Sequence, residues 1–268
     1  MKTARRVVFS LICLIHLIPF YLLINLSFKP PEDTSSKWQP ASTLYWDNFV
    51  NAWTRAHIDK AIMTNLTVTV FSVLLVILVG AFASYPLARN RTKWNSFIYS
   101  LCISCLVVPS LTILVPLYKF VVDIGGLNQY WSIILLQVTF ALPLTIFLLT
   151  GFMGNVPKEL DEAALIDGCS RYSIFFRIIL PLLKPIVATI IIVVGVQIWN
   201  DYQFSVFFLQ KSGRQTIPVA LSMFISQHQS NINWVAAGCL MGMMPLTVVY
   251  LFLQKYFIKG MADGAVKG

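Results

Sequence analysis

Charge is scarce in this chain: Asp, Glu, Lys and Arg make up 12% of its 268 residues, against 57% hydrophobic residues. With a mean hydropathy of +0.73, that shortage argues against a soluble core and for the bilayer as solvent. Histidine is scarcer still. His16, His57 and His228 are scattered, so no Ser/His/Asp constellation can be assembled. A Gly-Lys dipeptide is absent altogether, which excludes a phosphate-cradling loop in this chain. If ATP is involved, another chain binds it, and no cofactor or metal is expected in this one. The five cysteines fall mostly inside apolar runs, a placement unlike a disulfide framework. Cys102 and Cys105 form a C-x-x-C without a second pair or a nearby histidine, which does not point to a metal. No convergent set of acids, bases and ligands is present, so the chain is not expected to be an enzyme.

What the sequence does have is length in its apolar runs. Six reach the roughly 20 residues that a helix needs to cross a bilayer: 7–28, 62–83, 97–118, 130–153, 185–209 and 234–257. In hydrocarbon a helix satisfies its own backbone donors and acceptors. The expected fold is therefore all-α, a single transmembrane domain over 1–268 with six crossings. Lys2, Arg5 and Arg6 precede the first run as they would a signal peptide. The run exceeds the usual apolar stretch of about 7 to 15 residues, and no A-x-A pattern follows, so it reads as a helix.

Orientation follows from the basic residues, which cytoplasmic loops retain. With the N-terminus inside, thirteen of the 20 lysines and arginines lie in inner segments; the other seven are Lys29, Lys37, Arg55, Lys60, Lys119, Lys211 and Arg214. Both termini are thus expected in the cytoplasm. The net charge of +9 is mostly topology, and no basic patch interleaved with aromatics suggests a nucleic-acid partner.

The linkers differ in character. Segment 29–60 carries Pro30, Pro31, Trp38, Trp46 and Trp53 and reads as an irregular outer strip with interfacial aromatics. Segment 154–184 is long, inside and patterned. Pro157 suits the opening of a helix, and Glu159, Asp161 and Glu162 suit the positive end of its dipole. Gly168 can end that helix in the left-handed conformation, and Ser170 can cap a second one running toward Leu180 before Pro181. Leu160, Ala163, Ala164 and Asp167 are expected on one face, with Glu162 and Ile166 pointing elsewhere. The two alanines would leave that face low enough for a partner to seat closely. A well-capped solvated connector is the alternative.

The spacing Glu162-Ala163-Ala164, three residues, Gly168, nine residues, Ile178, one residue, Leu180-Pro181 resembles the EAA motif of permease subunits in bacterial ATP-binding-cassette (ABC) importers. Tyr85-Pro86-Leu87-Ala88-Arg89, Ile113-Leu114-Val115-Pro116-Leu117-Tyr118, Trp199-Asn200-Asp201 and the tail Gly260 with Gly264-Ala265-Val266-Lys267-Gly268 are similar to the carbohydrate-importing branch, above all to the smaller permease of the maltose importer. The likeness covers nearly the whole chain. It implies a multi-pass protein of the bacterial cytoplasmic membrane that works with a second permease, two ATPase subunits and an extracytoplasmic sugar-binding protein. It also implies that Glu162, Ala163, Ala164, Asp167 and Gly168 belong to a coupling helix seated on the ATPase, and that Gly264, Ala265, Val266 and Lys267 approach the same subunit. Cys169 stands where many relatives have alanine, a small-for-small change.

An ionisable residue within an apolar run marks a functional candidate, because inserting it costs about 2.5 to 3.5 kcal/mol. Asp201, with Gln197 and Asn200, is expected to form a polar cluster on one face of the fifth helix. That cluster reads either as a sugar-facing wall or as interhelical hydrogen bonding near the interface. Asn65 and Gln137 are further pathway candidates, and Pro109, Pro143 and Pro245 are places where helices could bend. The cargo implied is a sugar or oligosaccharide. A glycerol phosphate is the alternative, and would call for basic residues that the runs nearly lack. A secondary transporter would call for internal repeats, and no convincing halves are seen.

Overall fold

Helices are the expected answer to long apolar runs, and every regular element among the described residues is one. The computed structural model describes residues 2–227 and 231–265, with side chains over 5–225 and 231–255. In chain order the helices are α1 Lys2–Phe28, α2 Asp47–Arg55, α3 Ile58–Arg89, α4 Lys93–Ser104, α5 Leu114–Asp123, α6 Tyr130–Gly154, α7 Glu159–Ile166, α8 Arg171–Ile174, α9 Leu180–Leu182, α10 Lys184–Trp199, α11 Ser205–Phe208, α12 Ile217–Gln227 and α13 Ile232–Ala265. Four stretches are long and apolar enough to cross a membrane unbroken: Arg5–Phe28, Ile58–Arg89, Tyr130–Gly154 and Ile232–Lys255. They correspond to the first, second, fourth and sixth runs. Pro143 and Pro245 lie inside α6 and α13 without interrupting either helix.

The third and fifth runs depart from expectation. Lys93–Val107 and Ser110–Asp123 meet at 90°. Pro109 imposes the break: the residue before a proline is driven out of the helical region, and Val108 is extended at ψ 119°. Short 3₁₀ turns at Cys105–Val107 and Ser110–Ile113 flank the bend. In the fifth run, the helix expected over 185–209 ends at Trp199. It is preceded, at a 69° bend, by the stretch Arg171–Leu182. Counting each bent pair as one crossing gives up to six.

The chain divides into two compact units, Met1–Thr64 with Lys211–Thr247 and Asn65–Gln210 with Val248–Gly268. The first contains the expected irregular strip 29–60, and here the expectation needs correction. Nine of its residues form α2, with Asp47 and Arg55 at the ends that the dipole favours and Asn48 and Ala52, one turn apart, buried. Carboxamides hold the remainder. Asn25 donates to the carbonyls of Lys37 and Gln39 at 2.8 and 2.7 Å. Asn48 and Asn233 each donate to the Lys29 carbonyl at 2.8 Å. The Lys29 ammonium, 2% exposed, donates to Ser35 Oγ and the Ser36 carbonyl and lies 3.5 Å from Asp33. Hydrogen bonds from Ser35, helped by Lys29, hold the Asp33 carboxyl below its ordinary range.

The second unit is built around Ile133, Leu149, Met153, Ile179, Leu183 and Ile190, all completely buried. α3 and α6 come close where Gly80 faces Thr145: a Cβ on Gly80 would stand 2.7 Å from Thr145 Cγ2. Close approach through small residues is the usual basis of helix association in lipid, where tails are as apolar as the side chains.

Candidate functional site

Segment 154–184 lies entirely in the second unit, and its geometry begins with α3. Tyr85 and Arg89 are four residues apart and so share a face of that helix. Both reach Asp161 in the first turn of α7. Arg89 Nη2 stands 2.7 Å from Asp161 Oδ2, with the two side chains 9% and 13% exposed, and the Tyr85 hydroxyl donates to Asp161 Oδ1 at 2.9 Å. Arg89 Nη1 also donates to the carbonyls of Met153 and Val156 at 3.2 and 2.8 Å, where α6 ends. One guanidinium thus ties the end of α3 to the end of α6 and the start of α7. Nothing local in Tyr85-Pro86-Leu87-Ala88-Arg89 pairs it with Asp161, 72 positions beyond Arg89.

This clamp sets the rotation of α7, and the rotation corrects one expectation. Ala163 and Ala164 do not share a low outer face. Successive helical residues are about 100° apart, and with Asp161 turned inward Ala164 follows it onto the chain's own core at 6% exposure. Leu160, Glu162, Ala163 and Asp167 are exposed, and Ile166, expected to point elsewhere, is 87% exposed. The helix then closes with a Schellman motif: Cys169 N–H donates to the Ala164 carbonyl at 2.9 Å, and Gly168 N–H to that of Leu165 at 3.1 Å. Gly168 sits at φ +81°, a conformation that costs an L side chain strain. Ser170 accepts from Ser173 N–H at 3.3 Å and caps α8. The helical path continues through a π turn at Phe175–Ile179 into α9, so it ends at Leu182, beyond Pro181 and not before it. Phe175 anchors this stretch, stacked at 5.0 Å on Phe82. A cavity of about 420 Å³ opens beside α7, bounded by Tyr85, Arg89, Lys158, Glu162, Leu165 and Tyr172.

The pathway candidates divide. Gln137, Gln197, Asn200 and Asp201 all line one cavity of about 530 Å³, which Phe140 and Gln203 also border. They do not form the expected stripe on a helix, because α10 stops at Trp199 and Asn200 caps it. Asp201 lies beyond, and its carboxylate accepts from Phe204 N–H at 3.2 Å and from Ser205 N–H and Oγ at 2.9 and 2.7 Å. It orders the start of α11. Asn65 is elsewhere: it is 1% exposed and donates to the Trp199 carbonyl at 2.7 Å, holding the end of α10. Sequence reasoning missed Gln203, which donates to Ser110 Oγ at 2.8 Å across the bend at Pro109. No hydropathy pattern would have brought those two together. Of the tail candidates, Gly264 and Ala265 end α13 but their side chains lie outside the described residues, as do Val266 and Lys267 altogether.

The family model described as "Binding-protein-dependent transport system inner membrane component" matches residues 76–263. The melibiose/raffinose/stachyose import permease protein MelC of Bacillus subtilis (strain 168) is 46% identical over 260 residues, covering 97% of this chain and 94% of its own. The multiple sugar-binding transport system permease protein MsmG of Streptococcus mutans is 33% identical, covering 94% and 92%. A solved chain of a bacterial ABC transporter involved in the import of the acidic polysaccharide alginate shares the fold, with a TM-score of 0.82 and 18% identity over 96% of each chain. Four to six apolar helices, a motif-bearing segment pinned to the end of α3, and a family match over most of the length agree: the chain belongs to the binding-protein-dependent transport system inner membrane components, the membrane-embedded permeases of ABC importers.

Proposed function

We propose that this chain is a permease subunit of an ATP-driven importer, carrying a sugar or oligosaccharide that an extracytoplasmic binding protein delivers. Six crossings put both termini in the cytoplasm. The chain pairs with a second permease and two ATPase subunits, which bind ATP and Mg. The observation that carries the coupling role is the outward surface of α7: Glu162, Ala163 and Ile166 are exposed, while Asp161 and Ala164 fasten the helix from behind. Leu160, Leu165 and Ile166 all stand exposed on this one short helix, and clustered exposed apolar side chains, unlike a single one, favour a partner surface over a solvated connector. Closure of the ATPases on ATP would draw such helices together and convert the pathway from inward to outward facing, two states biased by differential contacts. The sugar assignment is supported by MelC and MsmG, whose names describe sugar import. Segments 29–60 and 210–233 are the outer surfaces for the binding protein. The test is copurification: wild-type chain should retain the ATPase subunits, and Glu162→Lys should lose them while remaining inserted. Undiminished retention in the variant would sink the coupling role.

A further inference from the structure

The cavity of about 530 Å³ contains one feature that folding alone does not account for. Gln137 is 6% exposed in the apolar helix α6, and its Nε2 has no hydrogen-bond partner among the described residues. A buried donor without a partner is unfavourable, and an apolar side chain of the same shape would fit the fold better. The wall it belongs to has a consistent chemistry. Gln197 adds a second carboxamide, Asn200 and Gln203 add two whose amides already donate to the Val196 carbonyl and Ser110 Oγ, and Phe140, stacked at 4.7 Å on Phe204, adds an aromatic side. No Lys, Arg or His occurs among the described lining residues. The carboxylate of Asp201 is already taken by three donors.

Carboxamides both donate and accept, and so does a sugar hydroxyl. An anion placed here would meet no cation. We infer that this chain supplies its own carbohydrate subsite at this cavity, selective for neutral, hydroxyl-rich rings, with Gln137 as a specificity-determining contact. The inference rests on the importer reading and adds that substrate is touched by this subunit.

The experiment uses the complete complex in proteoliposomes, with melibiose and raffinose as neutral probes and trigalacturonate as an acidic one. Gln137→Met, which keeps length and removes the amide, should lower neutral-sugar uptake about fivefold, the equivalent of one neutral hydrogen bond. Its melting temperature in detergent should stay level or rise, since an unpartnered amide has been removed. Gln197→Met, at an exposed position on the same wall, should lower uptake by a smaller factor. Unchanged uptake in both variants overturns the subsite. So does a melting temperature that falls together with uptake in Gln137→Met, the mark of a structural role, and so does wild-type preference for trigalacturonate. Absence of any ATP-dependent uptake by the wild type is a different failure, that of the importer reading itself.

Discussion

Breaking the clamp at Arg89 should destabilise the proposed coupling segment more than any change on its exposed face. Arg89 and Asp161 are nearly buried, 2.7 Å apart, at 9% and 13% exposure. Removing one member of such a pair leaves the other charge uncompensated, at about 3–5 kcal/mol. Arg89→Met fits that case, since Asp161 would keep only the Tyr85 hydroxyl and the end of α7. It also removes the side-chain donor to the Met153 and Val156 carbonyls, of which Met153 keeps the Val156 N–H. For a chain of this size the midpoint of thermal unfolding should fall by on the order of 10 °C. Asp161→Leu alone strands the guanidinium, which retains its two carbonyl acceptors, so its penalty should be smaller. The double variant Arg89→Met with Asp161→Leu should recover roughly 2 kcal/mol or more relative to the sum of the singles, because neither charge is then orphaned. Thermal unfolding of the four purified proteins in detergent completes the cycle, and copurified ATPase subunit reports the functional consequence. Single variants within about 1 kcal/mol of wild type, with an additive double, would refute the claim that this pair holds α7 in place.

Substitutions at two further positions test separate elements. Gly168→Ala meets no atom within 4 Å but must adopt φ +81°, so it should cost only the backbone strain of about 1–2 kcal/mol; Gly168→Pro also forfeits the bond to Leu165 and should abolish uptake with the chain still inserted, as checked by membrane fractionation and transport. Asp201→Ala removes three accepted hydrogen bonds at the start of α11 and should destabilise that turn by about 1–2 kcal/mol, reducing uptake while the ATPase subunits still copurify; full uptake would separate Asp201 from the pathway.

How far the sequence could be read depended on what each signal measures. Hydropathy reports residence in an apolar environment, and the continuous helices Arg5–Phe28, Ile58–Arg89, Tyr130–Gly154 and Ile232–Lys255 follow the expected runs closely. It does not report helicity. Phe204, Phe207, Phe208 and Leu209 prolong the fifth run in composition, although Asp201 has already diverted the chain into a separate turn. Pro109 was visible as a break, but the 90° angle it produces was not. Local rules served segment 154–184 well, because Gly168 and Ser170 act through neighbours a few residues away. The rotation of α7 escaped them, since it is fixed by Arg89, 72 positions from Asp161. The same holds for the cavity. Gln137, Gln197 and Asp201 were singled out one by one for their polarity, while Gln203 and its bond to Ser110, 93 residues away, required the fold.

Solute uptake into proteoliposomes, measured with and without the ATPase subunits, tests the central claim most directly. With the second permease and a loaded binding protein present, the sugar carried by that binding protein should accumulate only when ATPase subunits and ATP are both supplied, and uptake should be lost in Glu162→Lys. Accumulation that persists without any ATPase subunit would contradict the account and identify a secondary transporter instead.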